Sequence, residues 1–154
     1  MAITVVSAQS SKISSLFETE LKSRKGKGMV ILLTRPASVV KARLKQMNSK
    51  TELLFIDTVS KFDSESVVTA LPEDLTGLSI AITECSGAVN FVAFDFLNEL
   101  VTYNSVDSVV RFVKFILAKL RGVGVDCIVF VSSDGIDPKL SSALKQVADK
   151  VIKK

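Results

Sequence analysis

The stretch from Ala88 to Asn98, AVNFVAFDFLN, decides the fold. Its run from Val89 to Phe94 is apolar but for Asn90, mixes β-branched and aromatic residues, and ends in a carboxylate, Asp95. Such a run reads as a strand buried on both faces, which in α/β proteins means a central parallel strand. An acid at the carboxyl end of that strand sits at the edge of the sheet where ligands bind.

Working outward, the segment before this strand reads as a helix. Asp74 serves as its cap, Leu75, Leu78, Ile82 and Cys85 form one stripe, and Gly87 is its stop. After the strand, Phe96 to Leu100 reads as a short helical turn. The longest helix is predicted from about Val106 to Arg121, with Asn104 or Ser105 as cap and Gly122 as stop. On it Val106, Val109, Val110, Val113, Ile116, Leu117 and Leu120 share one face. At about 100° per residue, Phe115 points nearly opposite that face and Phe112 lies at its flank. Cys127 to Val131 reads as a strand, Asp137-Pro138 opens a last helix, and Val151-Ile152 is a candidate edge strand.

Toward the N-terminus the same alternation continues. Ile3 to Ser7, Met29 to Thr34 and Leu53 to Asp57 read as strands. A helix with Ser10 or Ser11 as cap carries Ile13, Leu16, Phe17 and Leu21, and Pro36 opens a second with Val40, Leu44 and Met47 inside. Residues 58–70 read as a loop with a short extended piece. Five strands alternating with helices predict a single three-layer α/β/α domain over residues 1–154, with a mostly parallel sheet.

Composition narrows the chemistry. The 154 residues contain no histidine, which removes Ser-His and Cys-His nucleophiles and most zinc catalysis within this chain. The two cysteines, Cys85 and Cys127, sit in apolar runs without metal-ligand spacing and read as free thiols. Twenty basic against 16 acidic residues leave a net charge of +4, spread over helix ends rather than gathered in a stripe. Nucleic acid is therefore not the expected partner. With no leader pattern and no apolar run near the ~20 residues a membrane span needs, the expectation is a soluble cytoplasmic protein.

Four strand ends carry polar groups that face a common edge: Ser7 with the residues to Ser14, Thr34-Arg35, Asp57 and Asp95. The stretch after the first strand stands where a phosphate-binding loop, G-x-x-x-x-G-K-[ST], would stand. Aligned on Lys12, both glycines are missing and Ile13 replaces the hydroxyl, with Ser14 next to it. Ser10, Ser11, Lys12 and Ser14 thus form a degenerate phosphate loop, or else a serine-rich helix start with a solvated lysine. Asp95 stands where a Walker B acid would hold magnesium through water, or else caps the turn that follows. Arg35 and Asp57 are candidates for the pocket rim. Asp57 also resembles the phosphoacceptor of a receiver domain, but neither the acidic pair after the first strand nor the lysine after the fifth is present.

The whole chain resembles the RecA/KaiC-like P-loop ATPase core, in particular its archaeal signalling-associated relatives with eroded P-loops. The resemblance rests on MVILLTRPA, LLFIDTVSK, DLTGLSIAI, VNFVAFDFLNELVTYN and RFVKFILAKLRGVGVDCIVFV, in that order. It implies a RecA-like sheet, for which the expected order is fifth strand, first, fourth, third, second. It also implies that an acid after the second strand polarises the attacking water, and here that place holds Thr34-Arg35-Pro36. The expected function is a pseudo-ATPase domain with no catalytic residues and no resident cofactor or metal, acting as a regulatory or protein-interaction module. Its partner would be another protein or a second copy, met through Phe112 and Phe115 as exposed aromatics. The alternative is a protein that binds ATP with magnesium and hydrolyses it weakly or not at all.

Overall fold

The computed structural model describes residues 2–154. Seven strands alternate with helices: β1 Ile3–Ala8, α1 Ser10–Ser23, β2 Lys27–Leu32, α2 Ala37–Gln46, β3 Glu52–Asp57 and β4 Val67–Thr69. The chain continues with α3 Leu75–Ser86, β5 Phe91–Phe94, a 3-10 turn Leu97–Glu99, α4 Leu100–Tyr103, α5 Val106–Val123, β6 Asp126–Ser132, α6 Pro138–Val147 and β7 Lys150–Lys153. All the strands pair in parallel.

Strand β5, from the opening stretch, shows why the sheet is buried twice. Phe91 and Ala93 face the layer of α1 and α2, where Ile13, Phe17, Leu21, Val40 and Leu44 pack. Val92 and Phe94 face the layer of α3 to α6, with Leu78, Ile82, Val113, Ile116 and Leu140. All four residues of β5 are buried. On the α1 side, Phe17 and Phe130 meet edge to face with ring centroids 5.4 Å apart.

The sheet order is β4-β3-β2-β5-β6-β1-β7. This corrects the expected arrangement. The fifth predicted strand, β6, lies between the first and the fourth, and the third lies outside the second. Burial explains both placements: β6 is buried along six of its seven residues, as a strand with neighbours on both sides is. β3 surfaces at Glu52, Leu53 and Leu54, where β4 does not reach it. β3 and β4 lie beyond β2, at the edge of the sheet opposite β7.

Several element ends differ from the sequence reading. The α1 cap is Gln9, not Ser10 or Ser11, because both serines are already helical. Pro36 caps α2 rather than opening it. Helix α5 runs past Gly122 and stops at Gly124, whose φ of 88° supplies the left-handed turn that a helix end needs. Asp74, the loop with a short strand after Asp57, and the edge strand at Val151-Ile152 stand as expected.

Candidate functional site

The carboxyl ends of β1, β6, β5 and β2 lie side by side and bring together the polar groups the sequence singled out. β1 runs to Ala8, which is in register with Ser132, and α1 begins at Ser10. Gln9 alone connects them. Of the stretch aligned to a phosphate loop, Val6 to Ala8 are strand and Ser10 to Ile13 are helix. Lys12 is exposed on the first turn of α1.

The start of α1 already holds an anion. The Ser10 backbone N–H donates to Asp134 Oδ1 at 2.7 Å, and the Ser10 hydroxyl donates to Asp134 Oδ2 at 2.7 Å. The Ser132 hydroxyl lies 2.7 Å from Ser10 Oγ and 2.9 Å from Asp134 Oδ1. A carboxylate at a helix N-terminus is favoured by the helix dipole and by the otherwise unpaired N–H groups. The Ser10 hydroxyl, the Ser10 N–H and the Ser132 hydroxyl together hold the Asp134 carboxyl down at about 2. Asn98 fixes the floor beneath: its Oδ1 accepts the Ser132 N–H at 2.9 Å and its Nδ2 donates to the Ser132 carbonyl at 3.2 Å.

Asp95 ends β5 one strand away, with β6 between it and β1. It is 3% exposed. Its Oδ1 accepts the Leu33 N–H at 2.9 Å and its Oδ2 the Thr34 hydroxyl at 3.2 Å, so the carboxylate pins the turn after β2. Burial pushes its carboxyl up to about 6 against the pull of these bonds. A cleft of about 260 Å³ connects Asp95 with Ser10, Ser14, Thr34, Arg35 and Phe96. That is below the ~300–1,000 Å³ usual for small-molecule sites. Lys12 and Ser11 are not among its walls.

The two rim candidates separate. Arg35 lines the cleft and is held by Glu18, which is buried on α1 at 4% exposure. The ion pair is 2.7 Å long, and Arg43 of α2 reaches the other oxygen of Glu18 at 3.3 Å. Asp57 is not at the rim. It is fully buried, and its Oδ2 accepts the Ala37 N–H at 2.7 Å and the Ser60 hydroxyl at 2.6 Å. Its Oδ1 accepts the N–H groups of Val59 and Ser60. Burial raises the Asp57 carboxyl, but these four bonds outweigh it and leave it below the usual range. Asp57 thus ties the start of α2 and the loop after β3 to the end of β3.

The aromatic pair on α5 also separates. Phe112 is 5% exposed and belongs to the core beneath α3, which corrects its reading as an interface residue. Phe115 is 55% exposed. Asp134, Ser132, Asn98 and Glu18 were not singled out by the sequence. The signal for the first two was present in Ser132-Ser133-Asp134 at the end of a strand, but their partners are 122 and 124 positions away. Among the described residues no group of three or more His, Cys, Asp or Glu could hold a metal ion, and no helix is long and apolar enough to cross a membrane.

Over residues 5–153 the chain matches the model of a family described as a family of unknown function (DUF7504), and it belongs to that family. No curated protein matches it. Among solved structures it is similar to the KaiC-like protein PH0186 from the hyperthermophilic archaeon Pyrococcus horikoshii OT3. The match has a TM-score of 0.73 at 12% identity and covers 99% of this chain and 71% of that one. At that identity the likeness carries the fold alone, and the domain has a KaiC/RecA-like fold.

Proposed function

We propose that this member of the DUF7504 family is a non-catalytic RecA-like domain, a pseudo-ATPase that works as a regulatory or protein-interaction module. One observation carries the reading: the Asp134 carboxylate occupies the N-terminus of α1, where the P-loop resemblance puts a nucleotide phosphate. A second anion there would meet a carboxylate held ionised. The single-residue connection at Gln9 supports the same reading, since a loop of that length cannot wrap a phosphate. So does the placement of Lys12 away from the cleft and of Ile13 where a magnesium-binding hydroxyl would stand.

Thermal unfolding with and without millimolar Mg-ATP tests this. Anything that binds only the folded chain raises the melting point by mass action. No shift is expected for the parent chain. A rise would favour the second reading, a nucleotide-binding protein with weak or no hydrolysis. The observation on that side is that Asp95 faces the cleft shared with Ser10 and Ser14. An Asp95→Asn variant that abolished such a shift would establish the second reading over the first.

A further inference from the structure

A broad hollow of about 570 Å³, separate from the cleft at Asp95, lies between the first turns of α3 and the N-terminal half of α5. Leu75 and Phe112 form its apolar lining, Phe115 and Arg111 stand on its α5 wall, and Glu73 stands opposite. The exposed stripe of α5 beside it reads Arg111, Lys114, Phe115, Ala118, Lys119 and Gly122. Phe115 thus has a cation one turn before it and one turn after it. Small residues at Ala118 and Gly122 leave room for a second backbone to approach.

The cations on this stripe have no counter-charges of their own. Four of the chain's five arginines close ion pairs: Arg24 with Glu20 and Asp126, Arg35 and Arg43 with Glu18, Arg121 with Asp149. Among the described residues Arg111 meets no carboxylate, and neither do Lys114 and Lys119. Asp107, the acid at the head of α5, is taken by Lys139 at 3.4 Å. Across the hollow, the Asp74 carboxylate is committed to the Gly77 N–H at 2.9 Å.

The geometry points to one occupant for this surface: an amphipathic segment of a protein partner that sets an apolar side chain against Phe115 and acidic residues against Arg111, Lys114 and Lys119. This rests on the reading of the chain as an interaction module. Glu73 on the far wall places the acidic side of the segment along α5. Charge complementarity selects the occupant, because a second copy brings the wrong sign. Two α5 helices crossing antiparallel at Phe115 would set Arg111 of one against Lys119 of the other, and like charges facing each other are destabilising. The exposed aromatic supplies the anchor, and the cations supply orientation and a salt-dependent approach.

The test pans a phage-displayed library of random peptides long enough to run along the stripe. The full chain is the bait and its Phe115→Ser variant the counter-selection. Retained peptides are expected to be rich in Asp and Glu around Leu or Phe. A representative synthetic peptide should bind more weakly at high salt, and about tenfold more weakly to an Arg111→Glu variant whose circular dichroism is unchanged. Retention of neutral or basic peptides, binding unaffected by Phe115→Ser, or no retained peptide would overturn the proposal. So would light scattering that shows a dimer dispersed by Phe115→Ser, since the occupant is then a second copy. Mg-ATP melting of the same samples keeps the outcomes apart: a nucleotide-dependent rise removes the pseudo-ATPase reading, whereas peptide results without it bear on the docking surface alone.

Discussion

Replacing Asp95 by Asn should remove from the fold a pH dependence of stability that runs opposite to ordinary acid unfolding. The Asp95 carboxyl moves from 3.8 to about 6 on folding because its site excludes water. The folded chain therefore holds a proton between those values that the unfolded chain has released. By linkage, this group's contribution to unfolding free energy falls as pH rises from about 4 to about 6. A shift of about two pH units, at about 1.4 kcal/mol each, amounts to about 3 kcal/mol. The Asp95→Asn variant has no proton to lose there. The difference in unfolding free energy, variant minus parent, should rise by about 3 kcal/mol between about pH 3 and about pH 7, most of it between about 4 and about 6. Any constant cost of disturbing the bonds from Leu33 and Thr34 cancels in the slope. The contributions of Asp57, Asp63, Asp134 and Asp149, all held below the usual carboxylate range, are common to both proteins. Urea unfolding followed by circular dichroism suits a chain without tryptophan. A flat difference, or one that falls with pH, would mean that Asp95 is solvated and the burial argument is wrong.

Three further outcomes follow from particular contacts. Asp134→Ala should lower the melting point at neutral pH, by an amount that shrinks as pH falls from about 4 toward 2. The carboxyl is held at about 2, so its stabilisation is present above the ordinary value of 3.8 and lost as pH falls toward 2. Asp57→Ala strands the N–H groups of Ala37, Val59 and Ser60 and should cost about 3 kcal/mol or more in chemical unfolding, with Asp57→Asn recovering part. Gly28→Ala puts a methyl into the ring of Phe91, its register partner on β5. It should cost about 1–3 kcal/mol, and Phe91→Leu in the same chain should recover much of it, a non-additivity that a double-mutant cycle reads directly.

Element types were legible in the sequence because each rests on local chemistry. FVAF reads as a strand buried on both faces, Asp74 and Asp137 cap the helices they precede, and Val151-Ile152 forms the short edge strand. Strand order was not legible. Parallel strands are joined through helices, so no turn ties a strand to its neighbour, and CIVFV and LLFID look alike until burial separates them. The two phenylalanines of α5 show the same limit. They lie about 60° apart around the helix, and only the packing of α3 against α5 decides that Phe112 falls inside and Phe115 outside. Gly122 reads as the stop of α5, but the left-handed turn sits two residues later, at Gly124. The Ser10–Ser132–Asp134 cluster was hidden for a simpler reason, because its halves come from opposite ends of the chain.

The lone Gln9 between β1 and α1 has a practical consequence for anyone who would build a nucleotide grip into this scaffold. Substituting glycines and a threonine into the serine-rich stretch would alter side chains on a strand and a helix without creating a loop. Extra residues must be inserted, and Asp134 must be removed to vacate the helix start. Lengthening a loop is entropically mild, about 0.6 kcal/mol per doubling. The harder obstacle is mutational access: point changes alone would not create the loop.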